Sequence, residues 1–168
     1  IFNADGNQQL IASKNVLGQA VPYLGEYGIS TNPESFAAEE YRLYFADKKR
    51  GAICRLSRDG ITPISEAGMR DWLNDHLKDA SAIIGSYDGK KNEYNITIHE
   101  LTDPGVSKNV YTLGYKENVK GWTSFKSFIY ESATTLSNRY YSFKNGLGYL
   151  HHPEVLSQSY CNFYETDN

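Results

Sequence analysis

Apolar and polar positions alternate in short runs along most of the chain, and the period turns helical only once. Residues 41–46, 52–57 and 61–64 are β-rich runs separated by the polar link Asp47-Lys48-Lys49-Arg50-Gly51 and by Asp59-Gly60. Asp-Gly between apolar runs supplies the positive φ angles that a two-residue hairpin turn needs, so this stretch predicts a three-stranded meander. Beyond Pro63 the spacing becomes i, i+3, i+4, i+7, i+8 at Met69, Trp72, Leu73, His76 and Leu77. That stripe predicts one amphipathic helix over 66–79, with Ser65 as N-cap and acidic Glu66 and Asp71 near its positive end.

Strands follow again. Residues 81–87 run into the turn Asp88-Gly89-Lys90-Lys91-Asn92, and 93–98 return. In the return strand Tyr94, Ile96 and Ile98 alternate with Glu93, Asn95 and Thr97, which predicts one buried face and one wet face. Residues 110–115 and 122–130 read as aromatic strands around a polar tip, and Ser/Thr-rich 131–138 reads as a loop. Residues 139–143, the Asn145-Gly146 turn and 147–151 form the last hairpin. In total the chain divides into an irregular arm and packed loop (1–40), a β-hairpin domain with an inserted helix (41–152) and a C-terminal tail (153–168). In the tail Tyr160, Asn162 and Tyr164 alternate with Cys161 and Phe163, like a strand whose partner lies elsewhere or on a neighbour.

The fold class expected is therefore mainly β, built of antiparallel meander hairpins with one helix near 66–79. Four hairpins share an aromatic strand, a tip rich in Asp, Asn, Lys and Gly, and a second aromatic strand. Turns roughly 30–40 residues apart suit a propeller-like arrangement, or a fragment of a β-propeller, or a stacked meander. The alternative is that separate hairpins simply look alike.

Composition sharpens this picture in one respect. Fourteen Tyr, seven Phe and two Trp stand against a single Met in 168 residues. Tyrosine suits half-buried strands and wet interfaces, where the ring is covered and the hydroxyl finds a partner. A net charge of −3 argues against nucleic acid as the main partner. The one dense basic cluster, Lys48-Lys49-Arg50, reads as a solvated hairpin tip or a partner contact. The apolar runs are too short to insert in a membrane. The chain begins at Ile1 without an initiating Met, so a processed, truncated or partial chain is expected. Cys54 reads as a small buried hydrophobe, with a Cys54–Cys161 disulfide as the alternative.

Chemistry is sparse. No phosphate loop, dinucleotide fingerprint, nucleophile elbow or zinc spacing appears, so no catalytic residue, cofactor or metal is assigned. His151-His152 reads as a surface pair whose side chains point to opposite faces of a strand end. His76 reads as a core-edge residue, and Asp71, Asp75 and Asp79 as a solvated helix face. Asn95-Ile96-Thr97 matches a glycosylation sequon inside a strand, a coincidental match. A profile of many aromatics and no reactive constellation favours a protein that packs against other proteins.

Particular phrases carry a family likeness. Val21-Pro22-Tyr23-Leu24-Gly25-Glu26-Tyr27-Gly28-Ile29-Ser30, Asn32-Pro33-Glu34-Ser35-Phe36-Ala37 and Tyr44-Phe45-Ala46-Asp47-Lys48-Lys49-Arg50-Gly51 are among them. With Arg55-Leu56-Ser57-Arg58-Asp59-Gly60-Ile61 and Gly121-Trp122-Thr123-Ser124-Phe125-Lys126-Ser127-Phe128, they resemble large virion structural proteins of tailed bacteriophages. The resemblance implies a non-enzymatic, oligomeric structural component of the virion, tail-associated, whose partners are other virion subunits. Two further readings stay open. One is a carbohydrate-binding module at a receptor-binding tail tip, with Trp122 and Tyr149 as candidates by residue type and a host surface glycan as partner. The other is a fragment of a polysaccharide-degrading enzyme, which would need two carboxylates facing one cleft.

Overall fold

The computed structural model describes residues 22–100 and 109–153 and the backbone of 162–163 and 166–167. Antiparallel meanders dominate, as the alternation predicts. The first sheet runs in order through β1 (Ala37–Ala38), β2 (Leu43–Asp47), β3 (Ala52–Ser57) and β4 (Gly60–Pro63). The middle sheet runs through β5 (Ala80–Asp88), β6 (Glu93–Glu100), β7 (Val110–Lys116) and β8 (Gly121–Lys126). A small sheet of β9 (Ser132–Leu136), β10 (Arg139–Lys144) and β11 (Leu147–Leu150) has β10 at its centre. These are open sheets, and among the described strands none closes a ring. The short strands β12 (Asn162–Phe163) and β13 (Thr166–Asp167) pair with each other; Tyr160, Cys161 and Tyr164 lie outside the described residues.

The helix α1 (Arg70–Lys78) starts later than its stripe suggests. Residues Ile64–Glu66 form a 3₁₀ turn, and Gly68 then adopts φ +83°, a left-handed conformation that breaks the helical path. Ser65 is buried in that turn and Met69 takes the N-cap position, without a side-chain cap bond. The stripe itself is right. Leu73 and Leu77 are fully buried, and Met69 and Trp72 pack at the edge of the same core.

That core lies between the first sheet with α1 and one face of the middle sheet. Tyr44, Ile53, Ile83, Tyr94, Ile96, Ile98 and Leu113 fill it, and Tyr44 stacks against Tyr87 and Tyr94 at 5.9 and 4.8 Å. Gly85 permits a close approach here, because a Cβ on it would stand 1.9 Å from the Ser35 carbonyl oxygen. The same Ser35 accepts a hydrogen bond from the Tyr94 hydroxyl at 2.8 Å and, through its own hydroxyl, one from the Ala46 N–H at 2.9 Å. Tyr27 and Ile29 pack against a second cluster of Phe45, Ala52 and Cys54. Cys54 is a buried free thiol whose pKa is pushed up to about 12, chiefly by burial and then by Asp47.

Three expectations need correction. First, β6 has no wet face: Glu93, Asn95 and Thr97 are at most 1% exposed. The small sheet and the side chain of Lys126 cover the side that alternation assigns to solvent. Second, the aromatic strand ends at Lys126 and not at Tyr130, because residues 127–131 leave the middle sheet and cross to the small one. Third, residues 131–138 are not a loop. Ser132–Leu136 pairs with β10 at five positions, and Ser137 and Asn138 turn the chain with φ +49° and +59°. Thr134 and Thr135 are β-branched and suit a strand, although their polarity reads as a loop.

Candidate packing surfaces

The small sheet is joined to the middle sheet by polar side chains. The Ser86 hydroxyl shares hydrogen bonds with the hydroxyls of Tyr130 at 2.9 Å and Tyr140 at 2.7 Å. Tyr130 also donates to the Asn95 carbonyl at 3.2 Å. Beside them, Thr135 donates to the Tyr87 carbonyl at 2.5 Å and accepts from the Gly89 N–H at 3.2 Å, so one threonine bridges two sheet edges. Asp88 accepts from the Lys90 and Lys91 N–H groups at its own turn and from His152 Nε2 at 2.9 Å.

His151 corrects the expected surface pair. It is 2% exposed, its Nε2 shares a hydrogen bond with Ser142 at 2.7 Å, and its ring sits 4.9 Å from Phe128 and 5.0 Å from Tyr140. Burial, with help from neighbouring His152, lowers its pKa to about 4, so the imidazole is neutral at pH 7. The hydroxyl of Tyr140 is pushed well above its ordinary range by the same burial.

The other face of the small sheet has the opposite character. Register and alternation turn Tyr140, Ser142 and Thr135 inward, and Arg139, Tyr141 and Phe143 outward with Leu136 and Leu150 beside them. Leu136 is 66% exposed, Phe143 41% and Leu150 38%. The Phe143 ring lies over Gly148, where a Cβ would come within 3.3 Å of it. An ordinary surface sheet buries its apolar side and wets its polar one. This one leaves Leu136, Phe143 and Leu150 exposed on its outer face beside Ser132, Thr134 and Arg139.

A second aromatic surface sits on the far side of the middle sheet. Trp72 of α1 meets Phe125 of β8 and Tyr111 of β7 edge-on, with ring centroids 5.3 and 5.2 Å apart. Phe125 is 58% exposed, and His76, which packs on Trp72, is paired with Glu100. Asp71, Asp75 and Asp79 are all exposed on this helix, as the sequence reading has them.

Other clusters are structural in geometry. Ser142 and His151 pair like a nucleophile and base, but both are buried, Ser142 fully and His151 to 2% exposure. A cleft of about 560 Å³ opens between β1, β5 and β9. Its two carboxylates, Glu39 and Glu40, are consecutive on one wall, whereas Ala133, Thr134 and Thr135 form the opposite one. Glu39 is held by Arg42 and by the Tyr87 hydroxyl at 2.9 Å. Glu117 is likewise held, by Arg55 at 2.9 Å and the Tyr44 hydroxyl at 3.1 Å, tying the β7–β8 tip to the first sheet. No facing pair of the kind a glycosidase needs spans this cleft. Among the described residues no group of His, Cys, Asp or Glu is placed to hold a metal ion, and no helix is long and apolar enough to cross a membrane.

The residues singled out in the sequence do not converge. Lys48 folds back to donate to the Ala80 carbonyl at 2.6 Å, Arg50 pairs with Asp47 at 3.1 Å, and Lys49 is exposed. Trp122 is half-buried on the core, its indole N–H donating to the Ile64 carbonyl at 3.2 Å. Tyr149 lies on β11 in a different sheet. Sequence reasoning missed Leu136, Tyr141, Phe143 and Leu150. Their signal was present in the alternation of Tyr141 and Phe143 with Tyr140 and Ser142, once both strands of the hairpin are read for polarity.

The chain matches none of the curated proteins. A family model described as crassvirus muzzle protein matches residues 3–146, and the chain belongs to that family. It is thereby a phage virion component, which agrees with the likeness to phage structural proteins carried by its phrases.

Proposed function

From this membership and the exposed apolar side chains on the outer face of the small sheet, we propose that the chain is a non-enzymatic structural part of the virion, tail-associated, that works by packing against neighbouring virion subunits. The observation that carries the reading is the outer face of β9–β11. Leu136, Phe143 and Leu150 stand exposed on it and Tyr141 half-buried, beside the polar Ser132, Thr134 and Arg139. At about 25 cal/mol per Å² of apolar surface removed from water, covering such a face is a direct driving force for association. Interface cores are enriched in aromatic residues of this kind.

Hydroxyl-radical footprinting of the intact virion against the isolated chain tests it. Oxidation of Tyr141, Phe143 and Leu150 is expected to fall several-fold in the virion, while exposed Tyr41, away from this face, changes less. Equal labelling of the face in both states would sink the reading.

A further inference from the structure

The cleft between β1, β5 and β9 has walls made of strand edges, and it lies apart from the outer face of the small sheet. We propose that it binds an extended peptide segment of another chain, held by main-chain pairing and presenting a basic side chain to Glu40.

Hydrogen-bond parity carries the argument. β1, β5 and β9 are each the terminal strand of a different sheet, and no ladder joins them. In an antiparallel pair, alternate residues turn their N–H and C=O groups towards the partner strand and the rest turn theirs away. The Glu39 N–H donates to the Arg42 carbonyl at 2.9 Å, so Ala38 and Glu40 on either side of it point away from β2. The Tyr87 carbonyl leaves its sheet to accept from Thr135, so Tyr87 and Gly85 point away from β6. Leu136 and Arg139 close a two-residue turn, so Ala133 and Thr135 point away from β10. All six of these residues line one cleft of about 560 Å³.

The polar side chains of the cleft are largely engaged already. Glu39 is held by Arg42 and Tyr87, the Ser86 hydroxyl by Tyr130 and Tyr140, and the Thr135 hydroxyl by the Tyr87 carbonyl and the Gly89 N–H. A sugar would need such side chains, whereas a peptide strand needs main-chain donors and acceptors, which the three edges supply. None of the three strands carries a lysine or a proline, the residues that commonly blunt an exposed edge. Phe36, 45% exposed, offers apolar contact to alternate side chains of the bound strand. Charge completes the description of the occupant. Glu40 is exposed, accepts from the Tyr41 hydroxyl and pairs with no cation among the described residues, and no lysine or arginine lines the cleft.

Selection from a library of random linear peptides displayed on messenger RNA, with Ala133→Pro as the counter-target, tests the proposal. Proline there removes an N–H that faces away from β10 and leaves the β9–β10 ladder in place. Circular dichroism with a thermal melt checks its fold, and Ala38→Pro replaces it if that check fails. Peptides selected on the wild type are expected to be rich in Lys and Arg. The best of them, synthesised, should bind the variant at least about tenfold more weakly by calorimetry. Methylating alternate backbone nitrogens of that peptide should also weaken it at least about tenfold, since it then loses the donors that pair with a strand edge. Glu40→Gln should weaken it several-fold, and its binding should slow hydrogen exchange at the Ala38, Tyr87 and Ala133 amides. The proposal is overturned if no peptide prefers the wild type to the variant, if the methylated peptide binds like its parent, or if Glu40→Gln leaves the affinity unchanged. Exchange slowed on the outer face of β9–β11 and unchanged in the cleft would also overturn it, and would assign the peptide to that face instead.

Discussion

The two faces of the middle sheet are buried by different means. Towards α1 and the first sheet, β6 offers Tyr94, Ile96 and Ile98 to an apolar core with Leu73, Leu77, Ile53 and Leu113. On its other face the same strand offers Glu93 to Thr123 and Lys126 of β8, Thr97 to Thr112 of β7, and Asn95 to the Tyr140 hydroxyl of the small sheet. A buried apolar side chain contributes about 1.5–3 kcal/mol relative to exposure, whereas a typical hydrogen bond contributes a net of about 1 kcal/mol. The first face should therefore hold firmly and the second should open more easily and depend on pH. The polar face also specifies geometry, since each inward hydroxyl has a defined partner and a slipped register would strand several of them.

Breaking the apolar side should cost most. Leu77→Ala is expected to lower unfolding stability by about 2–5 kcal/mol, read from the denaturation midpoint at unchanged slope.

Acidification should act next, and on the polar side. His151 has its pKa lowered from 6.5 to about 4, so between those values the unfolded chain binds a proton that the folded chain refuses. The stability that depends on neutral His151 is thus complete above about pH 6.5 and lost progressively as pH falls towards 4. The total is up to about 3 kcal/mol from a shift of this size. Urea denaturation of the wild type and of His151→Gln across that range should show a steeper loss in the wild type. Parallel curves would remove His151 from the account.

A smaller effect is expected from Tyr140→Phe, which removes the hydroxyl bonded to Ser86 and approached by the Asn95 amide at 3.5 Å. About 1 kcal/mol should be lost, with the opening of the small sheet affected more than global unfolding. Smallest of all, Phe143→Ser on the outer face should change the stability of the isolated chain by less than about 0.5 kcal/mol. It should still weaken association. A large loss of stability from Phe143→Ser would mean that this face is already covered within the chain.

Local pattern made the first and middle sheets legible. Asp47-Lys48-Lys49-Arg50-Gly51 and Asp88-Gly89-Lys90-Lys91-Asn92 turn where expected, and Asn145 and Gly146 adopt φ +52° and +75°, both central positions on the positive side. The stripe Met69, Trp72, Leu73, His76 and Leu77 found the face of α1, although Gly68 moved its start. What alternation could not show was the third layer. A strand such as β6 reads as half-wet whenever its second face is polar, whether water or another sheet covers it. The Ser/Thr-rich β9 hid for a related reason, because its inward threonine Thr135 meets backbone and not an apolar core. Ser142 and His151 likewise carried no sequence signal of burial. The candidate surface was missed with them, since an apolar outer face is visible only once the inner one is known.

Native-state hydrogen exchange on the isolated chain tests the central contrast most directly. The account predicts that amides of β10 exchange through openings of markedly lower free energy than those of β6, and that the gap widens on going from pH 7 to pH 5 after correction for intrinsic exchange. Equal opening free energies for β6 and β10 at both pH values would contradict it.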